Sequence, residues 1–552
     1  MPGPLTRRQA LLAFAATAGT AVLAACGGGP AAPTSSPAAS AGAAAPAAAA
    51  RASSVAASAS PAAKSAASVT PRPGGTLRMG ILGDPSRGTL DPHISGIIGD
   101  PITPMFDRLI VYDDKLNPQP ALAESWDASA DLRQIKLNIR KGVQFHTGRE
   151  LTASDVKWNY TRIKTDPLVA ATGLPAQAAQ ISSMEAPDKY SLVIKSDTPY
   201  PGVWDFLALA LIQDPVTAQG PEAKTKVVGT GPFKFVEWVQ GDHLTMAKHA
   251  NYWRSGLPYL DGIRMQIYKD PQSMIASLEA GALDLADQPS VRDVDRLKKD
   301  GRLQVVTNQL SGSRVEIALN TAQPPLDNKV FRQALQYSLD RKRISETVYL
   351  SIGQPVDLPF TPTSPAYDAN DDKFYSFNLD KAKSLLASSG AKSPSIDFNY
   401  ASTSAESANL GQIWQADLAK IGVTINLQPA DPVTTSTLLG QAKYKGMLVA
   451  STVFGQLHVT MEDGNPFYSA HGINWSNFKS AELAKLWTAI DTEPDVSKQK
   501  ALSAQLRRYI LDQSWNITVC SAPPSFAASP KVHGLRYALE ERLVPTEAWL
   551  EA

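Results

Sequence analysis

The chain has 552 residues, 43% hydrophobic and 19% charged, with 53 Lys and Arg against 52 Asp and Glu and only two cysteines. That is ordinary globular composition, long enough for about three to four domains. A net charge of +1 carries no nucleic-acid footprint, and two cysteines cannot build a disulfide framework.

The N-terminus reads as an export signal. Arg7 and Arg8 precede an apolar stretch from Ala10 to Leu23, too short and alanine-rich for a membrane span but suited to a signal-peptide core. The stretch ends in Leu23-Ala24-Ala25-Cys26, where small residues fit a signal-peptidase groove and the thiol accepts a diacylglyceryl group. This pattern resembles the bacterial lipobox, so residues 1–25 are expected to be removed and Cys26 to be lipidated, anchoring the chain to the outer face of the cytoplasmic membrane. The twin arginines leave Sec and twin-arginine export both open. Residues 26–73 are almost all Ala, Ser, Pro, Thr and Gly, with too little apolar side chain to offset ordering entropy. They predict a flexible tether that would span roughly 40 Å.

Regular structure is expected from Gly75 onward. Apolar alternation predicts strands through Ile135-Leu137-Ile139, Tyr190-Leu192-Ile194, Ile263-Met265-Ile267 and Val315-Ile317-Leu319. Helical spacing links Val330, Phe331, Ala334 and Leu335, with Asp327 as the expected N-cap, and Leu410, Ile413, Trp414 and Leu418, closed by Gly422. The strand Val423-Ile425-Leu427 follows. Strands and helices alternate throughout, which predicts α/β architecture with more than one sheet. Cys520, within Ile517-Thr518-Val519-Cys520, reads as a buried strand residue rather than a reactive thiol.

Motifs for chemistry are missing. The chain has no G-x-S-x-G, H-E-x-x-H, C-x-x-C or P-loop pattern, and Gly229-Thr230-Gly231-Pro232 departs from the dinucleotide fingerprint. The seven histidines are scattered, with no ligand spacing for a metal. No catalytic residue, metal or cofactor is expected.

Four ordered segments resemble the family 5 extracellular solute-binding proteins of ABC importers, the dipeptide, oligopeptide and nickel-chelate receptors. They are Pro120–Trp126 with Leu137–Gly148 and Leu151–Val156; Gly229–Phe233 with Asn251-Tyr252-Trp253; Leu278–Asp284; and Asn320–Leu326 with Val330–Leu335 and Leu339-Asp340-Arg341. The resemblance implies a bilobal periplasmic-binding-protein-like fold (class II, cluster C) with an extra domain inserted in the first lobe. The implied boundaries are 74–110, 225–319 and 515–552 for lobe I, 111–224 for the insert and 320–514 for lobe II. It also implies a receptor that closes on a peptide or similar organic solute and hands it to permease subunits in the membrane. The motifs carry structural roles as well: Gly142 and Gly148 as turns, Thr152 or Ser154 as a helix cap, Gly229 and Gly231 as a tight strand entry, Arg332 and Asp340 in helix packing.

Peptide-binding members commonly carry Trp-x-x-Asp-Tyr and then Asp-Pro, the acid holding the peptide ammonium. The matching stretch here, Ser451 to His458 and then Met461 to Phe467, lacks the tryptophan and the Asp-Tyr pair. Phe454 is the candidate aromatic wall, Glu462 or Asp463 the candidate acid, and Asn474 and Trp475 the candidates where the family pattern resumes. His458, with His471, keeps a nickel-chelate solute as an alternative; an oligosaccharide is another. Outside this class, a surface hydrolase lacks any recognisable nucleophile–base pair, and a folding helper would need an exposed apolar groove.

Overall fold

The computed structural model describes residues 70–551 except 86–87, 96–100, 170–173, 221–226, 454, 456, 463–464, 466, 471–473 and 539–541. Cys26, the expected export signal and nearly all of the expected tether fall outside the described residues, as do Phe454, Asp463 and His471. No described helix is long and apolar enough to cross a membrane.

The alternating segments form strands of three sheets. Gly262–Tyr268 lies between Thr76–Leu82, which it pairs in parallel, and His243–Lys248, which it pairs antiparallel. Phe233–Val239 extends this sheet on one side, and Leu285–Asp287, Ser525–Ala528 and Gln304–Thr307 extend it on the other, giving seven strands. Inward residues such as Leu77, Leu244, Ile263 and Leu285 make its core.

A five-stranded sheet runs Thr424–Ala430, Ser395–Ala401, Met447–Thr452, Arg314–Leu319, Asn516–Ser521. Its centre is covered on both faces. Val315, Ile317 and Leu319 enter one apolar cluster with Trp414, while Ala318 and Leu448 enter another with Trp487 and Trp515. Boundaries at 319 and 515 assign Arg314–Leu319 and Asn516–Ser521 to lobe I, whereas both strands pair within the second sheet. Arg314–Leu319 bonds antiparallel to Met447–Thr452 on one side and to Asn516–Ser521 on the other, so both strands complete their ladders in the second sheet. Among the named strands, the chain passes between these sheets twice, through residues 308–313 and 522–524.

The third sheet is antiparallel, in the order Ala123–Ala128, Gln134–Ile139, Ser191–Ser196, Ile181–Asp188, and lies within the segment expected as an insert. Helix Ala153–Thr165 packs on it through Val156, Tyr160 and Ile163. Thr152 caps that helix in a reciprocal box with Asp155. The Gly229–Gly231 turn joins this unit to the first sheet. His146 Nδ1 accepts from Gly229 N–H at 3.3 Å, and His146 Nε2 lies 3.1 Å from the Gly231 carbonyl oxygen. A Cβ on Gly229 would sit 2.1 Å from the Met105 carbonyl oxygen, so the chain approaches here as only glycine allows.

Two caps refine the sequence expectations. Helix Lys329–Ser338 is capped by Asn328, whose Oδ1 accepts from Val330 N and Phe331 N, and not by Asp327. Helix Ala405–Lys420 starts at the Ser404 cap, and Gly422 turns away from it at φ +83°. Arg332 donates to the carbonyls of Leu326, Asp327 and Gln513, a packing role. Cys520 is fully buried, and burial pushes its thiol up and out of reactive range.

Candidate functional site

Strands of the two larger sheets end facing one another. On the first sheet, Leu285–Asp287 leads through Gln288 and Pro289 into helix Val291–Asp300, capped by Ser290. On the second, Ser395–Ala401 leads into helix Ala405–Lys420, and Met447–Thr452 leads into Val453. A cavity of about 630 Å³ lies between them, with Val291 and Val294 on one wall, Val315, Val449 and Val453 on the other, and Pro523 of a crossover segment at its back. A separate recess of about 480 Å³ lies between Leu82 and Tyr268 of the first sheet and Thr403 beyond the second. Openings at the carboxyl ends of strands are where α/β folds place ligands.

A larger cavity, about 760 Å³, is lined by residues between strands Arg314–Leu319 and Ser395–Ala401 of the second sheet, such as Asp357, Asp372 and Tyr375, and by the crossover residues Gln309, Ser311 and Pro523. No strand of the first sheet lines it. A solute there would not bridge both lobes, so the 630 Å³ cavity is the better candidate for a site coupled to closure.

The described candidates from sequence, Glu462, His458, Asn474 and Trp475, lie elsewhere. Glu462 is 1% exposed and pairs with Arg314 at 2.8 Å, while Asn465 Nδ2 donates to it at 2.7 Å. Arg314 also faces Glu316, at 3.4 Å, and Glu316 accepts hydroxyl bonds from Thr452, Tyr468 and Thr518. One guanidinium therefore serves two buried acids. Burial pushes the Glu462 carboxyl up against the pull of Arg314, and the Glu316 charge adds to that push. Glu462 is thus held inside the second lobe.

His458 sits where a loop of the second lobe meets the insert. Its backbone N–H donates to Asp205 at 3.1 Å, and its ring nitrogens lie against Thr460 Oγ1 and Gln499 Oε1. Leu457 and Met461 beside it are buried in the core of the insert. Asn474 is occupied within its own turn, donating to Ser469 O and accepting from Ser476 N and Phe478 N. Trp475 packs edge-on against Phe467, centroids 4.9 Å apart, in the second lobe's apolar cluster. None of these four lines the 630 Å³ or 760 Å³ cavity.

Tyr349 and Glu406, which do line the cleft cavity, were not singled out by residue-type reasoning. Glu406 opens the helix that follows the carboxyl end of strand Ser395–Ala401, which the sequence analysis did not predict.

Residues 117–473 match the family described as bacterial extracellular solute-binding proteins, family 5 Middle. Heme-binding protein A of Haemophilus influenzae is 30% identical over 468 residues, covering 78% of this chain and 84% of that one. Oligopeptide-binding protein AppA of Bacillus subtilis is 27% identical over 511 residues, covering 87% and 92%. The solved structure of the oligopeptide-binding protein AppA from Bacillus subtilis, in complex with a nonapeptide, aligns at TM-score 0.74 and 24% identity over 88% of this chain and all of that one. The sheets and the two crossovers are accordingly those of a bilobal periplasmic-binding-protein fold. The chain belongs to the bacterial extracellular solute-binding proteins, family 5.

Proposed function

We propose that this protein is a lipid-anchored receptor of an ABC importer, moored through Cys26 on the outer face of the cytoplasmic membrane. It captures a peptide or comparable organic solute between its lobes and delivers it to the permease. The observation that carries the reading is the 630 Å³ cavity, walled by elements of both sheets and backed by a chain crossover. A solute touching both walls stabilises the closed arrangement by its differential affinity for it, and the permease reads closure. Lobe I is taken as 74–110, 225–307 and 525–552, lobe II as 314–521, and the insert as 111–224, consistent with the strand pairing. Relatives named for binding oligopeptides support an organic solute. The volume suits a solute of a few residues' size. Bond-making steps play no part in this cycle.

Mass spectrometry of solute released from the natively purified protein, paired with solution scattering before and after its removal, tests this reading. One organic solute bound one-to-one, with expansion on its loss, is the expected result. A lone metal ion in place of an organic solute, or scattering that does not change, would overturn it.

A further inference from the structure

The insert is fixed to lobe I at several points. Arg162 pairs with Asp91 at 2.6 Å, His93 Nε2 lies 2.9 Å from the Leu211 carbonyl oxygen, and backbone bridges join Asp107 to Ile212 and Gln213 to Gly229. The same insert also takes in a piece of lobe II. Leu457 and Met461, 1% and 4% exposed, belong to its apolar core together with Tyr200, Val203 and Phe206 of the insert itself.

Polar contacts seat this segment. The His458 N–H donates to the buried Asp205 carboxylate at 3.1 Å, where the Tyr112 hydroxyl is a second donor at 2.6 Å. Gln177 Nε2 donates to the Thr460 carbonyl at 3.4 Å. Drawing Leu457–Met461 out would uncover two apolar side chains and take a donor from Asp205, so the seated arrangement is favoured by protein contacts alone. The contact is also broad. Leu310 of the 308–313 crossover packs against the same core, and the charge of Asp491, at the end of helix Ala481–Asp491, bears on the Tyr200 phenol. The insert thus meets a crossover, a loop and a helix end. Close-packed side chains spread over three elements do not roll together as one pivot when lobe II rotates; they hold or they part.

We propose that the insert is a catch for lobe II, gripping Leu457–Met461 as the lobes close and so populating the closed arrangement in the empty receptor. This role rests on the receptor reading above. The catch shifts the open–closed equilibrium in the same direction as solute does, so a solute is held more tightly than its own contacts alone would hold it.

Gly202 separates the catch from the fold. It precedes helix Val203–Leu209 at φ −72°, a conformation open to any residue, and a Cβ there would sit 2.6 Å from Thr460 Oγ1 and 3.1 Å from Gln177 Oε1. Gly202→Ala therefore presses on the seated segment, and Thr460→Ala in the same chain removes the hydroxyl it presses on. The test is solution scattering of the full chain, as purified and after stripping of solute, with hydrogen exchange of helix Ala153–Thr165 reporting on the fold of the insert. Stripped wild type should expand only partway, stripped Gly202→Ala should have the larger radius of gyration, and the double variant should return to the wild-type radius, with the helix protected in all three. Equal radii for stripped Gly202→Ala and stripped wild type overturn the catch. So does an expansion that Thr460→Ala fails to reverse, or one that comes with lost protection of the helix. None of these results touches the receptor reading, which is judged by the change between purified and stripped wild type.

Discussion

Replacing Arg314 by methionine removes the one cation that serves Glu316 and Glu462, both essentially sealed from water. Glu316 keeps its hydroxyl donors, so the unmet charge falls on Glu462, whose Oε1 already has no partner. Burial already holds the Glu462 carboxyl up at about 7 with Arg314 in place, so at neutral pH the wild type carries in part the proton that the variant must carry in full. A further rise in the variant costs about 1.4 kcal/mol for each unit of pH above that value. The 3–5 kcal/mol or so typical of breaking a buried pair from one side is approached only where the wild-type carboxyl is charged. The sign follows: a carboxyl raised in the folded state contributes stability that is present at low pH and lost as pH rises. Calorimetry of Arg314→Met should show the transition that contains the five-stranded sheet lowered by several degrees at pH 9 and by less at pH 5. Glu462→Gln, which retains an amide for Asn465 and removes the surplus charge, should cost much less. A deficit in Arg314→Met that is no larger at pH 9 than at pH 5, or that grows on acidification, would refute this reading of the cluster.

Two histidines, His93 buried and His146 half-buried, set an acid limit. His93 Nδ1 faces donors from Arg162 and Gln213 while Nε2 meets the Leu211 carbonyl, which fixes the neutral ring; Asp91 and Asp166 also bear on it. Burial holds His93 down to about 4 and His146 down to about 3. The unfolded chain takes up these protons below about pH 6.5, so stability present at neutral pH is lost as pH falls toward those values. The free-energy gap between wild type and His93→Gln should therefore shrink by about 1.4 kcal/mol per unit between pH 6.5 and 4, and a constant gap would contradict the assignment. Gly229→Ala, which drives a Cβ to 2.1 Å from the Met105 carbonyl, should cost about 2 kcal/mol or more by denaturant unfolding. Gly440→Ala, with nothing within 4 Å, should be neutral or mildly stabilising. Equal effects of the two would discount the close approach.

Much of the fold was legible because its signals are local. Alternation at Ile263, Met265 and Ile267 marks a half-buried strand wherever it docks, and the spacing of Leu410, Trp414 and Leu418 marks one helix face. The ordered motifs carried the family because they encode turns and caps, such as Thr152 with Asp155 and the Gly229–Gly231 approach to Met105. Even there, local pattern did not separate Asp327 from Asn328 as a cap, since both are good capping residues and only the backbone path selects one.

What the sequence determined by itself was therefore the family and the mixed α/β architecture, both written in short-range pattern. The tertiary structure alone decided which sheet owns Arg314–Leu319 and Asn516–Ser521, because ladder partners lie up to some 200 residues away. It also decided which acid faces the cleft. Glu462 looks like a loop acid until Arg314, 148 residues earlier in the chain, is found to claim it, whereas Glu406 is left unpaired in the cavity. The availability of a charge depends on who else is buried beside it, and that is a property of long-range packing rather than of residue type.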